Sequence, residues 1–231
     1  MPENPLLLLH GALGSAAQLE PLQKQLAQHF TVQTLNFSGH GGKSFAGDFS
    51  IAAFADEVLT FLNENEIDQV NIFGYSMGGY VALHLAKHDP QRIGKIFTLG
   101  TKFDWNPATA EHEVKMLNPS KIQEKVPLFA EALAKRHQPN DWKELVTKTA
   151  SMLHDLGHGA ALEAQDFTNI QHPVTIGIGS QDNMVSLEES EATANLLPNG
   201  RLLLFSEFKH PIEQANFTTL ADAIELFIKS E

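Results

Sequence analysis

Apolar residues fall along this chain in two rhythms. Short, mostly apolar runs occur at Leu6–Leu9, Thr31–Leu35, Val70–Phe73, Ile93–Leu99, Val174–Ile178 and Arg201–Phe205. Runs of this length, bounded by turn residues, predict strands buried on both faces. Between them, apolar residues recur every three or four positions. Examples are Leu19, Leu22 and Leu26, then Ile51, Phe54, Val58, Phe61 and Leu62, then Phe217, Leu220, Ile224, Phe227 and Ile228. That spacing predicts amphipathic helices. Ser15 and Ser50 stand where helix caps are expected, and Ser186-Leu187-Glu188-Glu189 has the form of a capping box. Asp89-Pro90 stops a helix running from Gly78 to His88. Six strands alternating with helices predict an α/β fold, a mostly parallel sheet with helices on both faces.

The alternation fails once, over residues 101–168. Pro107, Pro119, Pro127 and Pro139 divide that stretch into helical pieces, and no strand is evident. Asp141-Trp142-Lys143-Glu144 is a second capping-box candidate. The expected organisation is one domain, with a core of residues 1–100 and 169–231. Residues 101–168 form a helical lid inserted between strands, over the carboxyl edge where open α/β sheets bind ligands.

Composition narrows the function. The chain has 231 residues and is 42% hydrophobic, enough for one large domain with a substantial core. Sixteen Lys and Arg against 28 Asp and Glu give a net charge of −12. That excess weighs against nucleic acid, whose phosphates need a basic face, and against docking on an anionic membrane. There is no cysteine, which excludes disulfides, thiol nucleophiles and Cys-ligated metal. Leu6–Leu9 is too short for a signal-peptide core or a membrane span, so a soluble cytoplasmic protein is expected.

The sharpest chemical feature is Gly74-Tyr75-Ser76-Met77-Gly78-Gly79, between a predicted strand and a predicted helix. A side chain there projects from a tight turn, and small residues on either side let the backbones approach. The new helix points free N–H groups at that turn. These conditions suit an exposed serine nucleophile. A bare G-x-S-x-G match is common, but here the strand–turn–helix context is present. A second glycine-rich turn, His10-Gly11-Ala12-Leu13-Gly14, follows the first strand directly.

With this pair of motifs the sequence resembles the α/β-hydrolase superfamily. The resemblance covers residues 5–100 and 170–231, and touches the lid only loosely. It implies an oxyanion hole made by the amides of Met77 and Ala12, with Leu13 the weaker alternative to Ala12. It also implies a catalytic order of serine, acid, histidine, each at a strand end. Asp182 follows the run ending at Ile178, and His210 follows the run ending at Phe205. Asp104, past the preceding strand, is the alternative acid. Asn36-Phe37-Ser38-Gly39-His40-Gly41-Gly42-Lys43-Ser44 resembles a family loop that usually begins with Asp. Its expected role is structural, which makes His40 a poor catalytic candidate; His10, in the turn after the first strand, is expected to organise that turn and not to act as a catalyst.

Three features are weaker. Phe103, Trp105 and Trp142 are candidates for lining an acyl pocket, although packing among the lid helices explains them equally well. His154 and His158 share a helix face, yet Asp155 stands where a zinc-protease motif carries Glu, Gly157 weakens the helix, and no third ligand is evident. Asn216-Phe217-Thr218 matches a glycosylation sequon that has meaning only in a secreted chain.

The sequence therefore predicts a serine hydrolase that cleaves a small carboxylic ester or related acyl substrate through an acyl-enzyme. Ser76 is the nucleophile, His210 the base and Asp182 its orienting acid, with no cofactor and no metal. A carbon–carbon bond hydrolase, lyase or thioesterase would use the same triad. A ligand-binding or receptor protein on the same fold is the competing reading of another class. The expected partner is a small acyl substrate, and the sequence leaves the oligomeric state open.

Overall fold

The computed structural model describes residues 4–230. Six strands form one sheet: β1 (Leu6–Leu9), β2 (Val32–Thr34), β3 (Val70–Tyr75), β4 (Ile93–Leu99), β5 (Val174–Gly179) and β6 (Gly200–Phe205). Their order is β2-β1-β3-β4-β5-β6, and every neighbouring pair is parallel. The chain runs outward from β1 to β2, then crosses back to place β3 on the other side of β1. That reversal opens a crevice at the carboxyl ends of β1 and β3, where α/β sheets bind ligands.

The strand pleat sends alternate residues to opposite faces. Leu6 and Leu8 pack with α1 (Glu20–Leu26) and α10 (Phe217–Lys229). Leu7 and Leu9 pack with α2 (Ile51–Glu64) and α3 (Met77–His88). All four leucines are buried, and each such side chain contributes roughly 2 kcal/mol by leaving water. Two expectations shift in detail. The helix after Ser15 begins as a 3-10 turn, Ala16–Leu19, before α1. Pro21 lies in the first turn of α1, where a missing N–H is tolerated, so the α-helix starts there afresh. β2 shrinks to three half-buried residues because it is an edge strand with one neighbour.

Between β4 and β5 lie α4 (Pro107–Met116), α5 (Pro119–Lys125), α6 (Pro127–His137), α7 (Trp142–Asp155) and α8 (Ala164–Asn169). Past β5 comes α9 (Leu187–Leu196), which carries the expected capping box at Ser186. Pro107, Pro119 and Pro127 each open a helix instead of merely interrupting one, because proline's fixed φ suits the first helical position. Asn106, Asn118 and Asp141 cap the exposed N–H groups behind them. Leu145, Val146, Met152 and Leu156 join the apolar cluster that covers the α2–α3 face, so the insertion shares the core it rests on. Among the described residues, no helix is long and apolar enough to cross a membrane.

Candidate active site

Ser76 lies at the junction of β3 and α3 with φ 51° and ψ −117°, a conformation that costs a non-glycine residue about 1–3 kcal/mol. The surroundings hold it there. Its N–H donates to Leu99 O at 2.8 Å, and its carbonyl accepts from the Thr101 hydroxyl at 2.9 Å and from Gly79 N at 3.0 Å. Gly74 and Gly79 touch backbone to backbone, so any side chain at Gly74 would force strand and helix apart. The Gly11 turn after β1 also comes close: a Cβ on Gly11 would stand 3.1 Å from Ser76 Cβ. The two glycine-rich motifs therefore meet at the sheet's switch point.

His210 and Asp182 reach the same place from the far strands. His210 Nδ1 donates to Asp182 Oδ2 at 2.8 Å, and their side chains are 9% and 2% exposed. The carboxylate oxygen requires the proton on Nδ1, which leaves Nε2 as an acceptor. Burial pushes the Asp182 carboxyl up. The hydrogen bond and charge of His210, with N–H donation from Met184 and Val185, outweigh burial and hold it below the usual carboxylate value. The carbonyl of His210 accepts from the Tyr75 hydroxyl at 2.8 Å. Tyr75 is a variable position of G-x-S-x-G, and nothing in the sequence marks it as an anchor. Asp104, by contrast, is exposed and accepts from Asn106 Nδ2 at 3.2 Å.

Two cavities share Ser76, His210 and Ala12. One, of about 90 Å³, is mainly apolar and includes Ile51, Met77, Tyr80, Trp105 and Met152 in its wall. The other is a cleft of about 920 Å³ that reaches Met116, Phe129, Arg136 and Glu213. Lys102 and Glu113 line both, with Nζ and Oε1 3.5 Å apart. Of the three aromatic candidates, only Trp105 lies in a cavity wall. Phe103 is buried against Tyr80 and Phe167, and Trp142, the first residue of α7, is buried in the core. Their positions in sequence could not separate wall from core, since both environments take aromatic rings. His154 and His158 stack at 4.1 Å on the exposed end of α7, where Gly159 at φ 107° unwinds the helix into a π turn.

His10, His40 and His137 form a buried row beside the Gly11 turn, with ring centroids 5.0 and 5.7 Å apart. His10 accepts from Phe37 N–H at 3.2 Å and holds the Gly11 carbonyl at 2.8 Å. Burial lowers His10 to about 4 against its Gly11 hydrogen bond, and burial likewise lowers His137 to about 4. As pH falls below 6.5, the unfolded chain takes up protons that the folded chain refuses until about pH 4. His10 stability is thus complete above 6.5 and declines below it, by about 3 kcal/mol at pH 4. The melting temperature is expected to drop by roughly 5–10 °C between pH 7 and 4.5. A melting curve that stays level over this interval in differential scanning fluorimetry would contradict neutral burial of these rings.

Comparison with known proteins agrees with this fold. A family model for the alpha/beta hydrolase fold matches residues 4–148. A protein of Wickerhamomyces anomalus designated a probable alcohol acetyltransferase is 33% identical over 94 residues, which is 40% of this chain and 28% of that protein. The chain thus spans less than a third of the first curated relatives it matches. A protein of Agrobacterium fabrum designated a carbamate hydrolase is 26% identical across 91% of this chain and 87% of its own length. Among solved structures, the 2-hydroxy-6-oxo-6-phenylhexa-2,4-dienoate hydrolase of a Rhodococcus strain superposes with a TM-score of 0.80. It is 18% identical, and the match covers 99% of this chain and 91% of that one, a likeness of fold.

Proposed function

The chain is an enzyme of the alpha/beta hydrolase fold family, and on that premise we propose that it is a serine hydrolase cleaving a small carboxylic ester or related acyl substrate through an acyl-enzyme. The observation that carries this reading is the 2.8 Å bond from His210 Nδ1 to Asp182, with His210 and Ser76 in the wall of one apolar cavity. Ser76 Oγ attacks the acyl carbonyl and passes its proton to His210 Nε2. Asp182 holds the ring in that tautomer and stabilises the cation formed. The amides of Ala12 and Met77 receive the oxyanion, a contribution of about 3–4 kcal/mol per donor. His210 then protonates the leaving oxygen, and water activated by the same nitrogen releases the acid. The helical segment between β4 and β5 acts as the lid, and its Trp105 bounds the smaller cavity.

The test is labelling of the intact protein with a fluorophosphonate, followed by turnover of p-nitrophenyl esters of graded acyl length and of a carbamate ester. The carbamate belongs in the panel because the relative matched over most of its length is designated a carbamate hydrolase. Labelling with ester turnover is expected; ligand binding with neither would favour a binding protein. The aromatic residues supply a sharper check. Trp105→Ala opens the cavity wall and is expected to raise kcat/KM for longer relative to shorter acyl chains severalfold. Trp142→Ala is expected to leave that ratio alone and to cost about 3–5 kcal/mol of stability. Equal shifts in the acyl profile of both variants would contradict this division.

A further inference from the structure

We propose that Arg136 and His137, at the end of α6, are positioning residues of the oxyanion hole, because both donate to the carbonyl of Leu13. This rests on the serine-hydrolase reading above. Leu13 follows Ala12 in the turn, and its φ of 56° is a left-handed conformation that a leucine seldom adopts. Arg136 Nη1 reaches its carbonyl oxygen at 2.9 Å and His137 Nε2 reaches it at 3.0 Å. The His137 tautomer is set by the other nitrogen. Nδ1 accepts from Gly41 N–H at 3.1 Å, so Nε2 carries the proton and donates. The peptide between Leu13 and Gly14, just past Ala12, is thereby pinned from outside its own loop, by a helix that begins more than a hundred residues later in the chain.

Arg136 has a second partner. Its Nη2 donates to Glu213 Oε1 at 3.2 Å, and Glu213 lies three residues past His210. Gln18 also donates to Glu213, while its own carbonyl accepts from Ser15 N–H at 2.9 Å. One guanidinium thus ties the turn after β1 to the loop carrying the histidine. A planar fork with several donors can bridge two acceptors in this way. The two loops hold the oxyanion donor and the general base, whose separation must match the tetrahedral intermediate, and misplacement by about 1 Å can cost roughly a hundredfold in rate. Simple tethering of the insertion would need neither acceptor to be in the catalytic loops.

The experiment compares wild type, Arg136→Met, Arg136→Lys, His137→Gln and the exposed control Lys135→Met. Each is assayed for kcat and KM on one p-nitrophenyl ester, inhibition by an alkyl boronic acid, and melting temperature. A boronate forms a tetrahedral adduct with the serine, so its affinity reports the oxyanion hole and not ground-state binding. Arg136→Met is expected to lower kcat by roughly ten- to a hundredfold with KM within about twofold, and to weaken the boronate by a similar factor. Arg136→Met leaves His137 as the one donor to Leu13 O and cuts the tie to Glu213, whereas Arg136→Lys and His137→Gln each substitute another donor beside the native one and are expected to recover most of both quantities; Lys135→Met should match wild type. Unchanged boronate affinity in Arg136→Met, or losses in all three site variants that follow melting temperature alone, would overturn the proposal. If Arg136→Met does not fold, His137→Leu, which removes the second donor to Leu13 O, takes its place, and a folded His137→Leu variant with unaltered kcat and boronate affinity would overturn the proposal equally. Fluorophosphonate labelling of wild type is read first. A failure there strikes the serine-hydrolase reading itself, whereas normal labelling with an intact boronate response strikes only this inference.

Discussion

Ser76→Ala is expected to lower kcat on an activated ester by about 10⁶, the scale on which a hydrolase loses its nucleophile. The substitution removes one hydroxyl. The bonds that hold the turn, from its N–H to Leu99 and from Thr101 and Gly79 to its carbonyl, involve backbone atoms and survive. The strained φ of 51° also persists, since alanine keeps its Cβ and gains none of the freedom of glycine. The melting temperature is therefore expected to stay within a few degrees of wild type. A residual rate of 10³–10⁴ over water is expected where the oxyanion donors act alone, roughly as in other triads. A folded Ser76→Ala variant that retains more than a few per cent of wild-type kcat would place the nucleophile elsewhere.

Asp182→Asn is expected to cost on the order of 10⁴ in kcat, the scale seen when a serine-protease triad loses its acid. The reason lies in which way the proton must point. Asp182 Oδ1 accepts from Met184 and Val185 N–H, at 2.8 and 2.9 Å, so an asparagine keeps its carbonyl oxygen on that side. Its amide nitrogen then faces His210 Nδ1 and donates to it. That bond selects the tautomer with the proton on Nε2, which cannot accept the proton of Ser76. Asp104→Asn is the matched control. Asp104 is exposed and bonded to Asn106, so its loss is expected to stay within about twofold of wild type. The reverse ranking, measured on folded variants with one ester, would transfer the acid role to Asp104.

Much of the site is visible in the amino-acid sequence because strand ends mark it. The runs at Val70, Val174 and Arg201 become β3, β5 and β6, and Ser76, Asp182 and His210 follow each within a few residues. In a parallel sheet those ends share one edge, so separation along the chain becomes proximity in space. The Asn36 loop is also legible as structure. Asn36 Oδ1 accepts from Ala16 N–H at 2.8 Å, which binds the loop after β2 to the turn after β1.

The remainder depends on long-range packing, which leaves no local pattern. Trp105 and Trp142 read alike in the sequence, as cavity or packing residues, and only their places in the fold separate them. Arg136 and His137 look like ordinary cations at a helix C-terminus, where such residues are favoured whatever they touch. Their contact with Leu13 requires the insertion to fold back across the sheet edge, and no residue spacing signals that. Tyr75 is concealed in the same way, since its hydroxyl partner is a backbone carbonyl far along the chain.

The central claim, that Ser76 carries the acyl group, is tested most directly by trapping the intermediate. The intact protein is acid-quenched within milliseconds of mixing with a p-nitrophenyl ester, digested, and mapped by mass spectrometry. An acyl mass increment is expected on the peptide containing Ser76, and the same peptide is expected unmodified in Ser76→Ala. An acyl group found on another residue in both proteins would contradict it.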